Sequence, residues 1–156
     1  MLPEKIILCS GDLPLVKQWE EVFEIDAPHV EVRHEKLFYE AADAVVSPAN
    51  SFGIMDGGLD EKIRDKLGGY MLESRVQKMI LEKHHGELPV GWAEVVETEH
   101  KNWPYLVSAP TMRIPIKLKY SLNAYLAFRA VLLAIRRFNT DAGEKKIKIV
   151  RCPGLG

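Results

Sequence analysis

The sequence predicts an α/β fold of three layers, α/β/α, around a mixed and mostly parallel central sheet. The first observation behind this prediction is that short apolar or alternating segments, typical of strands, take turns with longer segments of helical periodicity. The second is that no repeat, low-complexity segment or linker interrupts them. The third is size, since 156 residues, 47% of them hydrophobic, suffice for one core without disulfides or a structural metal. We therefore expect a single domain over residues 1–156.

The first part of the chain is predicted to form a strand, a helix and two further strands. Residues 5–9 are a short apolar run that ends at the turn 10–12, and apolar residues then recur at helical spacing over 15–23. Residues 30–33 alternate between apolar and charged side chains, as in a strand with one face exposed to water. Residues 43–47 are typical of a buried strand, which we expect to end at Pro48.

The alternation of helices and strands continues to the end of the chain. The further elements are predicted as helices over 59–67, 71–80 and 122–138 and as strands over 92–98, 105–111 and 147–152. The segment 122–138 is apolar nearly all round, which predicts a largely buried helix.

Cysteine usage and hydropathy exclude several classes of protein. Cys9 and Cys152 lie in apolar stretches without C-x-x-C or histidine spacing, which excludes a disulfide-rich secreted scaffold and a zinc finger. We expect buried thiols at both positions. No apolar run approaches the roughly 20 residues of a membrane-spanning helix, and residues 1–4 lack the order of a signal peptide. We therefore expect a soluble, cytoplasmic protein without a membrane partner.

Charge is distributed unevenly along the chain. Residues 1–100 carry 10 Lys or Arg against 20 Asp or Glu, a net charge of -10, whereas residues 101–156 carry 11 against 2, a net charge of +9. Such asymmetry can mark a face that attracts phosphates or nucleic acid. The alternative is that the two halves interleave in space and their charges mix. No RNP-like, helix-turn-helix or aromatic-interleaved basic motif is present, so nucleic acid is not expected as a partner.

Residues 45–60 carry most of the candidate chemistry, because a strand there runs through a glycine-rich loop into a helix. Glycines let backbone N–H groups approach a ligand closely, and the following helix points its positive dipole end at the loop, which suits phosphate. The stretch is neither a P-loop nor a G-x-G-x-x-G motif, which argues against an ordinary ATPase or NAD dehydrogenase. Asn50 and Asp60 flank the loop and suit a sugar hydroxyl. The alternatives are that Asn50 caps its own turn and that Asp60 is a first-turn acid favourable to the helix dipole.

Residues 43–51, followed by Gly57-Gly58-Leu59-Asp60, resemble the signature of the macrodomain family, in which a strand ending in an Ala-Asn-Ser-type turn leads to a glycine-rich loop and an aspartate. Residues 105–110 resemble the family's later strand, and residues 152–156 its final strand and second glycine-rich loop. The resemblance is to bacterial-type members and covers residues 30–156. It implies a macrodomain-like fold and an ADP-ribose-type pocket, since members bind ADP-ribose or related ligands. Some members hydrolyse ADP-ribosyl esters or process ADP-ribose phosphates.

The same resemblance implies roles for particular residues. Asn50 would hold the distal ribose, and Asp60 would orient or polarise the reacting centre or its water, which makes them the candidate catalytic pair. The backbone amides of Gly57, Gly58 and residues 154–156 would hold the diphosphate. The candidate ligand-binding residues are Ser51, Asp56, Gly57, Gly58, Leu59, Gly154, Leu155 and Gly156. Neither a cofactor nor a metal is implied.

The chain departs from the family at the position expected to recognise adenine. The family's acid would fall within the adenine-side candidates Glu35, Lys36 and Leu37, and a lysine takes its place. A lysine ammonium only donates hydrogen bonds, so it cannot accept one from the adenine amino group. The turn 10–12 carries a similar motif, but we expect it to belong to an added N-terminal βα unit over residues 1–28.

Two further departures concern the loop and the end of the chain. Asp56 stands where many members have a glycine, which places a carboxylate near the expected phosphates. The sequence ends at Gly156, before the C-terminal helix that the family would place next.

Two hypotheses of function follow. The first is binding of ADP-ribose, free or attached to a macromolecule, or of a related nucleotide diphosphate sugar, with hydrolysis of ADP-ribosyl linkages as a secondary activity. The second is a non-catalytic interaction module with a degenerate pocket, which binds a polyanion or a protein through its basic second half. The oligomeric state is left open.

Overall fold

The computed structural model describes residues 1–23, 27–117 and 119–156. The elements along these residues are β1 (Lys5–Cys9), α1 (Leu13–Phe23), β2 (Val30–Arg33), β3 (Ala44–Asn50), α2 (Gly58–Leu67), α3 (Tyr70–His84), β4 (Glu94–Glu97), β5 (Tyr105–Met112), α4 (Asn123–Asp141) and β6 (Ile149–Cys152). The strands form a sheet in the order β2-β1-β6-β3-β5-β4. β4 runs antiparallel to β5, and the other neighbouring pairs are parallel. The predicted α/β class with a mixed, mostly parallel sheet is confirmed.

Helices cover both faces of this sheet and so make three layers. Alternate residues of β1 point to opposite faces. Ile6 and Leu8 join one core together with residues of α4, while Ile7 and Cys9 join a second core together with residues of α2 and α3. Trp19 of α1 packs against the same core as α4. Since both faces are covered, the inner strands β3 and β5 are buried over nearly their whole length.

β3 continues beyond the predicted strand 43–47 and contains Pro48, so the prediction that the strand ends at this proline is wrong. The ladder between β3 and β6 ends where Val45 pairs with Arg151, whereas the ladder between β3 and β5 reaches Asn50. Proline lacks the N–H that a ladder uses, and it is tolerated here because β3 has a neighbour on one side only beyond Val45.

α4 is less buried than its sequence predicts. Ala127, Val131 and Ile135 are buried, but Leu122, just before the helix, is 73% exposed and Tyr125 in its first turn is 64% exposed. The prediction of a largely buried helix is therefore wrong. The physical reason is that α4 lies in an outer layer, where one side covers the sheet and the other side faces water. Neither α4 nor any other helix in the described ranges is long and apolar enough to cross a membrane.

Two predicted strands are shorter than expected. The strand predicted over 92–98 is confirmed only over Glu94–Glu97, and the one predicted over 147–152 only over Ile149–Cys152. Ile147 is buried nevertheless, and its N–H donates to Oδ1 of Asn139 at 2.8 Å. The side chain of Asn139 in α4 thus accepts a hydrogen bond from the N–H of Ile147, which the sequence predicted to pair within the sheet.

A completely buried arginine, Arg151 of β6, fixes the segment that follows β2. Its guanidinium pairs with the carboxylate of Glu35, and it donates to the carbonyl oxygen of Leu37 at 2.7 Å and to that of Lys36 at 3.1 Å. A buried guanidinium is tolerated only when an anion and hydrogen-bond acceptors surround it. Arg151 therefore ties three consecutive residues of the segment after β2 to the sheet.

We expect Arg151→Met to lower the free energy of unfolding by about 3 kcal/mol, because the largely buried carboxylate of Glu35 loses its ion-pair partner and two carbonyl oxygens lose their donor. Equilibrium unfolding in urea measures this change. The control is Arg113→Met, which removes a pair with Glu87 at 2.6 Å from an exposed arginine that does not contact Glu35. It should cost about 1 kcal/mol or less. Equal losses in the two variants would show that Arg151 is no more than a surface ion pair.

Candidate functional site

A cavity of about 490 Å³ opens at the carboxyl ends of β3, β5 and β6. It forms because β3 and β5 stay paired beyond the point where β3 and β6 separate, which leaves a gap that the following loops line. In open α/β sheets, ligands bind outside the carboxyl ends of the strands. The lining comes from residues 48–50 of β3 and from Ile54 and Asp56, from residues 57–60 at the start of α2, from Thr111, Met112, Pro115 and Ile116, and from Gly154 and Gly156.

A larger surface groove, of about 730 Å³, lies between α1 and β2. Its lining includes the carboxylates of Glu20, Glu21 and Glu31, and among the described lining residues there is no glycine. A groove with this lining does not suit an anionic ligand. The smaller cavity, which contains the residues expected from the sequence, is therefore the candidate site.

The start of α2 opens into the cavity without a side-chain cap in the described part of the chain. Gly57 is the N-cap with extended backbone, φ -158°, and Gly58 has φ +61°, a conformation that residues with a Cβ rarely adopt. The first N–H groups of a helix have no partner within the helix, and the helix dipole places partial positive charge there. This end of α2 is thus prepared to receive an anion.

The loop between β3 and α2 is held in place by α2 and α3. Gly53, at φ +68°, packs so closely that an added Cβ would lie 2.9 Å from side-chain atoms of both Val76 and Ile80. The N–H of Met55 donates to Oε2 of Glu73 at 2.5 Å, and its carbonyl oxygen accepts from the guanidinium of Arg64 at 2.8 Å. Gly57 and Gly58 therefore line the cavity at the end of a loop that α2 and α3 hold in place.

The side chain of Asn50 stabilises its own turn. Its Oδ1 accepts from the N–H of Phe52 at 3.1 Å and from the N–H of Ile54 at 3.3 Å, and its Nδ2 donates to the carbonyl oxygen of Ile54 at 2.7 Å. This is the capping arrangement considered as an alternative from the sequence. The amide lines the cavity as well, and its Nδ2 carries a second hydrogen.

Asp60 is a buried carboxyl group, 8% exposed, that lines the same cavity. Burial raises the pKa of Asp60 to about 6, and the charges of Glu73 and Asp56 act in the same direction. A hydrogen bond from the hydroxyl of Ser47 and the charge of Arg64 oppose this rise in pKa. Asp60 thus combines a place at the wall of the cavity with a raised pKa, a combination that is frequent at functional sites.

The structure brings most of the predicted site residues together. Asn50, Asp60 and six of the eight predicted ligand-binding residues line the cavity; the six are Asp56, Gly57, Gly58, Leu59, Gly154 and Gly156. Ser51 and Leu155 do not line it. Ser51 is buried beside the start of the loop, where its carbonyl oxygen accepts from Leu88 at 2.8 Å, and Leu155 packs in the core beneath α4.

The adenine-side candidates Glu35, Lys36 and Leu37 follow β2 and do not line the cavity. Glu35 is engaged by Arg151, Leu37 is buried, and Lys36 has an exposed side chain. Asp12 is the acid of the turn 10–12, which carries a motif similar to that of the family. It follows β1, which runs parallel to β2, so it lies at the same carboxyl ends of the strands as residues 35–37.

Sequence reasoning missed the contribution of β5 and of the residues after it. Thr111 and Met112 line the cavity at the carboxyl end of β5, and Pro115 and Ile116 line it further along the chain. A signal for Thr111 was available, because the carboxyl ends of neighbouring parallel strands lie at one edge of a sheet. For Pro115 and Ile116 the sequence carries no comparable signal.

The two cysteines do not contribute a nucleophile. Both thiols are buried, and burial raises the pKa of Cys9 and of Cys152 above the ordinary thiol value. A thiol becomes reactive when its pKa falls, so these two are inert at neutral pH. Within the described ranges, no three His, Cys, Asp or Glu side chains are grouped as a metal site would require.

The opposite charges of the two halves of the chain meet in the folded protein. Arg113 pairs with Glu87 at 2.6 Å, Lys148 with Glu4 at 3.8 Å, and Arg151 with Glu35. Basic residues of the second half therefore contact acidic residues of the first, as expected if the two halves interleave.

Comparisons with known proteins place this geometry in a family. A family model for the Macro domain matches residues 46–156. Uncharacterised proteins of Aquifex aeolicus and Aeropyrum pernix are each 32% identical, over 115 and 117 residues, and each alignment covers 74% of this chain. The chain spans 61% and 53% of the lengths of these two relatives.

Solved structures agree in fold. The macrodomain of Mycobacterium tuberculosis DarG is 22% identical, with 78% of this chain and 74% of that chain covered and a TM-score of 0.57. An Oceanobacillus iheyensis macrodomain variant with ADPR is 13% identical, with 100% and 88% covered and a TM-score of 0.53. Thermosipho africanus DarTG in complex with ADP-ribose is 14% identical, with 95% and 44% covered and a TM-score of 0.52.

The matched region begins within β3, so β1 and α1 precede it, which is compatible with an N-terminal βα unit added to the family's core. With its mixed sheet and two glycine-bearing loops at one cavity, and with a family-model match over residues 46–156, the chain belongs to the macrodomain family.

Proposed function

We propose that this protein binds ADP-ribose, free or attached to a macromolecule, or a related nucleotide diphosphate sugar. The observation that carries the proposal is that two glycine-bearing loops meet at one cavity, Gly57-Gly58 at the uncapped start of α2 and Gly154 with Gly156 after β6. Backbone N–H groups of both loops can approach a ligand closely, since glycine has no side chain in the way. A diphosphate has enough oxygen atoms to accept hydrogen bonds from both.

The electrostatic field in the cavity favours a diphosphate at the start of α2 and opposes it near Asp56. The dipole of α2 attracts an anion to Gly57 and Gly58. Asp56 carries a negative charge into the same lining, but its side chain is exposed, so water and salt screen the repulsion. We therefore place the diphosphate against the glycines and Asp56 at the rim.

Asn50 and Asp60 suit the distal ribose. Asn50 retains one N–H hydrogen after its contact with Ile54, and a carboxylate accepts hydrogen bonds from sugar hydroxyls. Because the turn contacts hold the Asn50 amide in one orientation, little conformational entropy is lost when it binds a ligand.

Relatives of the same fold support this choice of ligand. The structures similar to this chain include the Oceanobacillus iheyensis macrodomain with ADP and Thermosipho africanus DarTG in complex with ADP-ribose. The contacts between oppositely charged halves of the chain weaken the alternative of a polyanion-binding module, because they reduce the net positive field of the second half.

Hydrolysis of an ADP-ribosyl linkage is the secondary part of the proposal. A carboxyl group with a pKa of about 6 is mostly ionised at pH 7 and can take a proton from water. As the water oxygen bonds to the anomeric or ester carbon, the bond from that carbon to the leaving group breaks, and the leaving group departs with the electron pair and is protonated. The Ser47 hydroxyl fixes the orientation of the Asp60 carboxylate through its hydrogen bond. Asp60 is the group of this cavity that suits a general base.

ADP-ribose should raise the Tm of the protein, and adenine alone should not, because the backbone amides around Gly57 and Gly58 supply most of the affinity. At 100 times its Kd, a ligand stabilises the folded state by about 2.7 kcal/mol. We expect Gly57→Val to abolish this shift. The backbone of Gly57 is extended and a Cβ there meets no atom within 4 Å, so the variant folds while its side chain occupies ligand space.

Gly11→Val is the matched control, since a Cβ at Gly11 also meets nothing within 4 Å and Gly11 does not line the cavity. Its Tm should rise with ADP-ribose as in the wild type. No shift in the wild type at millimolar ligand would overturn the proposed function. A shift in Tm as large in Gly57→Val as in the wild type would show that the ligand does not bind at the start of α2.

Asp60→Asn should stabilise the protein at pH 7.5 and lower any hydrolase activity by powers of ten. The folded-state pKa of Asp60, about 6, lies above its ordinary value of 3.8. Between these pH values the folded protein keeps a proton that the unfolded chain has released, so this group makes the fold less stable as pH rises. The ionised form costs on the order of 3 kcal/mol above pH 6, which asparagine avoids.

Thermal unfolding from pH 4 to pH 8 measures this effect, and the gap in Tm between variant and wild type should close towards pH 4. In the wild type, the hydrolysis rate should rise with pH up to about 6 and then level off. Asp65→Asn, on the exposed side of α2 and paired with Arg64 at 2.8 Å, is the control and should not stabilise. Destabilisation by Asp60→Asn at pH 7.5 would contradict the raised pKa.

Lys36 should leave the protein with poor discrimination between adenine and hypoxanthine. We expect ADP-ribose and its inosine counterpart to bind within a few-fold of each other or with inosine preferred, because an ammonium donates to the carbonyl of hypoxanthine but cannot accept from the adenine amino group. Because the Lys36 side chain is exposed and outside the lining of the cavity, Lys36→Asp should favour ADP-ribose by about 1 kcal/mol or less. Calorimetric titration with both ligands measures the difference.

The control is Lys101→Asp, which makes the same change of charge. Lys101 lies in the loop between β4 and β5, before the amino end of β5 and therefore at the end of the sheet away from the cavity. It should leave the ratio of the two affinities unchanged. A strong preference of the wild type for adenine that Lys36→Asp does not alter would contradict a role of Lys36 at the adenine. Asp12 would then be the candidate for the adenine-binding acid.

A further inference from the structure

The ladder between β3 and β5 contains an irregularity at the cavity. Ala49 pairs with Pro110 and Asn50 with Met112, which leaves Thr111 as an extra residue on β5. Such a bulge changes the direction in which a side chain points, and bulges are frequent next to functional sites.

The hydroxyl of Thr111 is buried without a partner. Thr111 is 1% exposed and belongs to the cavity wall, and its Oγ1 has no hydrogen-bond partner among the residues that the structure describes. Most buried hydroxyl groups are paired, because an unpaired one has lost its water without compensation.

The backbone around Thr111 is fixed by its neighbours. Its carbonyl oxygen accepts from Nδ2 of Asn123, the first residue of α4, at 2.8 Å. Close by, the N–H of Ser51 donates to the carbonyl oxygen of Arg113 at 3.2 Å. The main chain is thus anchored, while the Thr111 hydroxyl stays buried without a partner. The described protein atoms provide it with no partner, and Thr111 belongs to the lining of the cavity, so a ligand bound there can supply one.

We propose that the Thr111 hydroxyl is a specificity-determining contact that hydrogen-bonds to the distal ribose of an ADP-ribose-type ligand. This inference rests on the proposed function and adds a residue to it. Thr111 lies on the strand beside Asn50, the residue assigned to the distal ribose, and farther along β5 than Pro110, the partner of Ala49. A threonine hydroxyl both donates and accepts, as the hydroxyls of a ribose do.

The test is calorimetric titration of the wild type, Thr111→Val and Thr111→Ser with ADP-ribose and with ADP, which lacks the distal ribose. Thr111→Val should raise the Kd for ADP-ribose about three- to tenfold and leave the Kd for ADP within about twofold. Thr111→Ser keeps the hydroxyl and should bind ADP-ribose within about twofold of the wild type.

Thermal unfolding without ligand separates this role from a structural one. Valine has the shape of threonine without the unpaired group, so the Tm of Thr111→Val should equal or exceed that of the wild type. The matched control is Thr140→Val in the last turn of α4, where the Thr140 hydroxyl donates to the carbonyl oxygen of Arg136. It should leave both affinities unchanged.

Three results would overturn the inference while the proposed function stands: an unchanged Kd for ADP-ribose in Thr111→Val, equal weakening of ADP and ADP-ribose, or a lower Tm of that variant without ligand. The first denies the contact, the second places it away from the distal ribose, and the third shows a structural partner for the hydroxyl. A wild type that binds neither ligand would overturn the proposed function and this inference with it.

Discussion

The separation of β3 from β6 beyond Val45 is the constraint on which the site depends. β3 continues to Asn50 with β5 as its partner, whereas β6 ends at Cys152. The resulting gap gives the glycines after both strands access to one space, and it lets Pro48 lie within a strand that would otherwise need its N–H. A continuous ladder between β3 and β6 would fill the place where the ligand is proposed to bind.

The site combines groups that attract an anion with groups that would repel one. The uncapped end of α2 supplies N–H groups and partial positive charge, while Asp56, Asp60 and Glu73 contribute carboxylates nearby. Burying Asp60 costs stability above its pKa, and such a cost is common where a residue serves chemistry rather than packing. Arg64 offsets part of the negative charge and also holds the loop through the Met55 carbonyl.

The loop of the site is supported by a small number of contacts within this chain. Solved macrodomains between 13% and 22% identical share this fold. In this chain the loop after β3 is fixed by local requirements: Gly53 has no room for a side chain against α3, and the Met55 backbone is held by two charged groups. Each of these contacts involves only a few residues, and together they fix the loop against α2 and α3.

Hydrophobic periodicity in the sequence was enough to predict the α/β class and the order of the elements, because the period of burial is a local property. The pattern of glycines in residues 45–60 and the resemblance to macrodomains predicted the loop with Asn50 and Asp60, because the absence of a glycine side chain is local too. The tertiary structure decided what depends on neighbours distant in sequence. It showed that α4 covers one side only, that β3 runs through Pro48, and that Leu155 packs in the core rather than lining the cavity. It also placed Thr111 in the site and Glu35 against Arg151, since an apolar or polar pattern indicates whether a residue is buried but not which residue it meets.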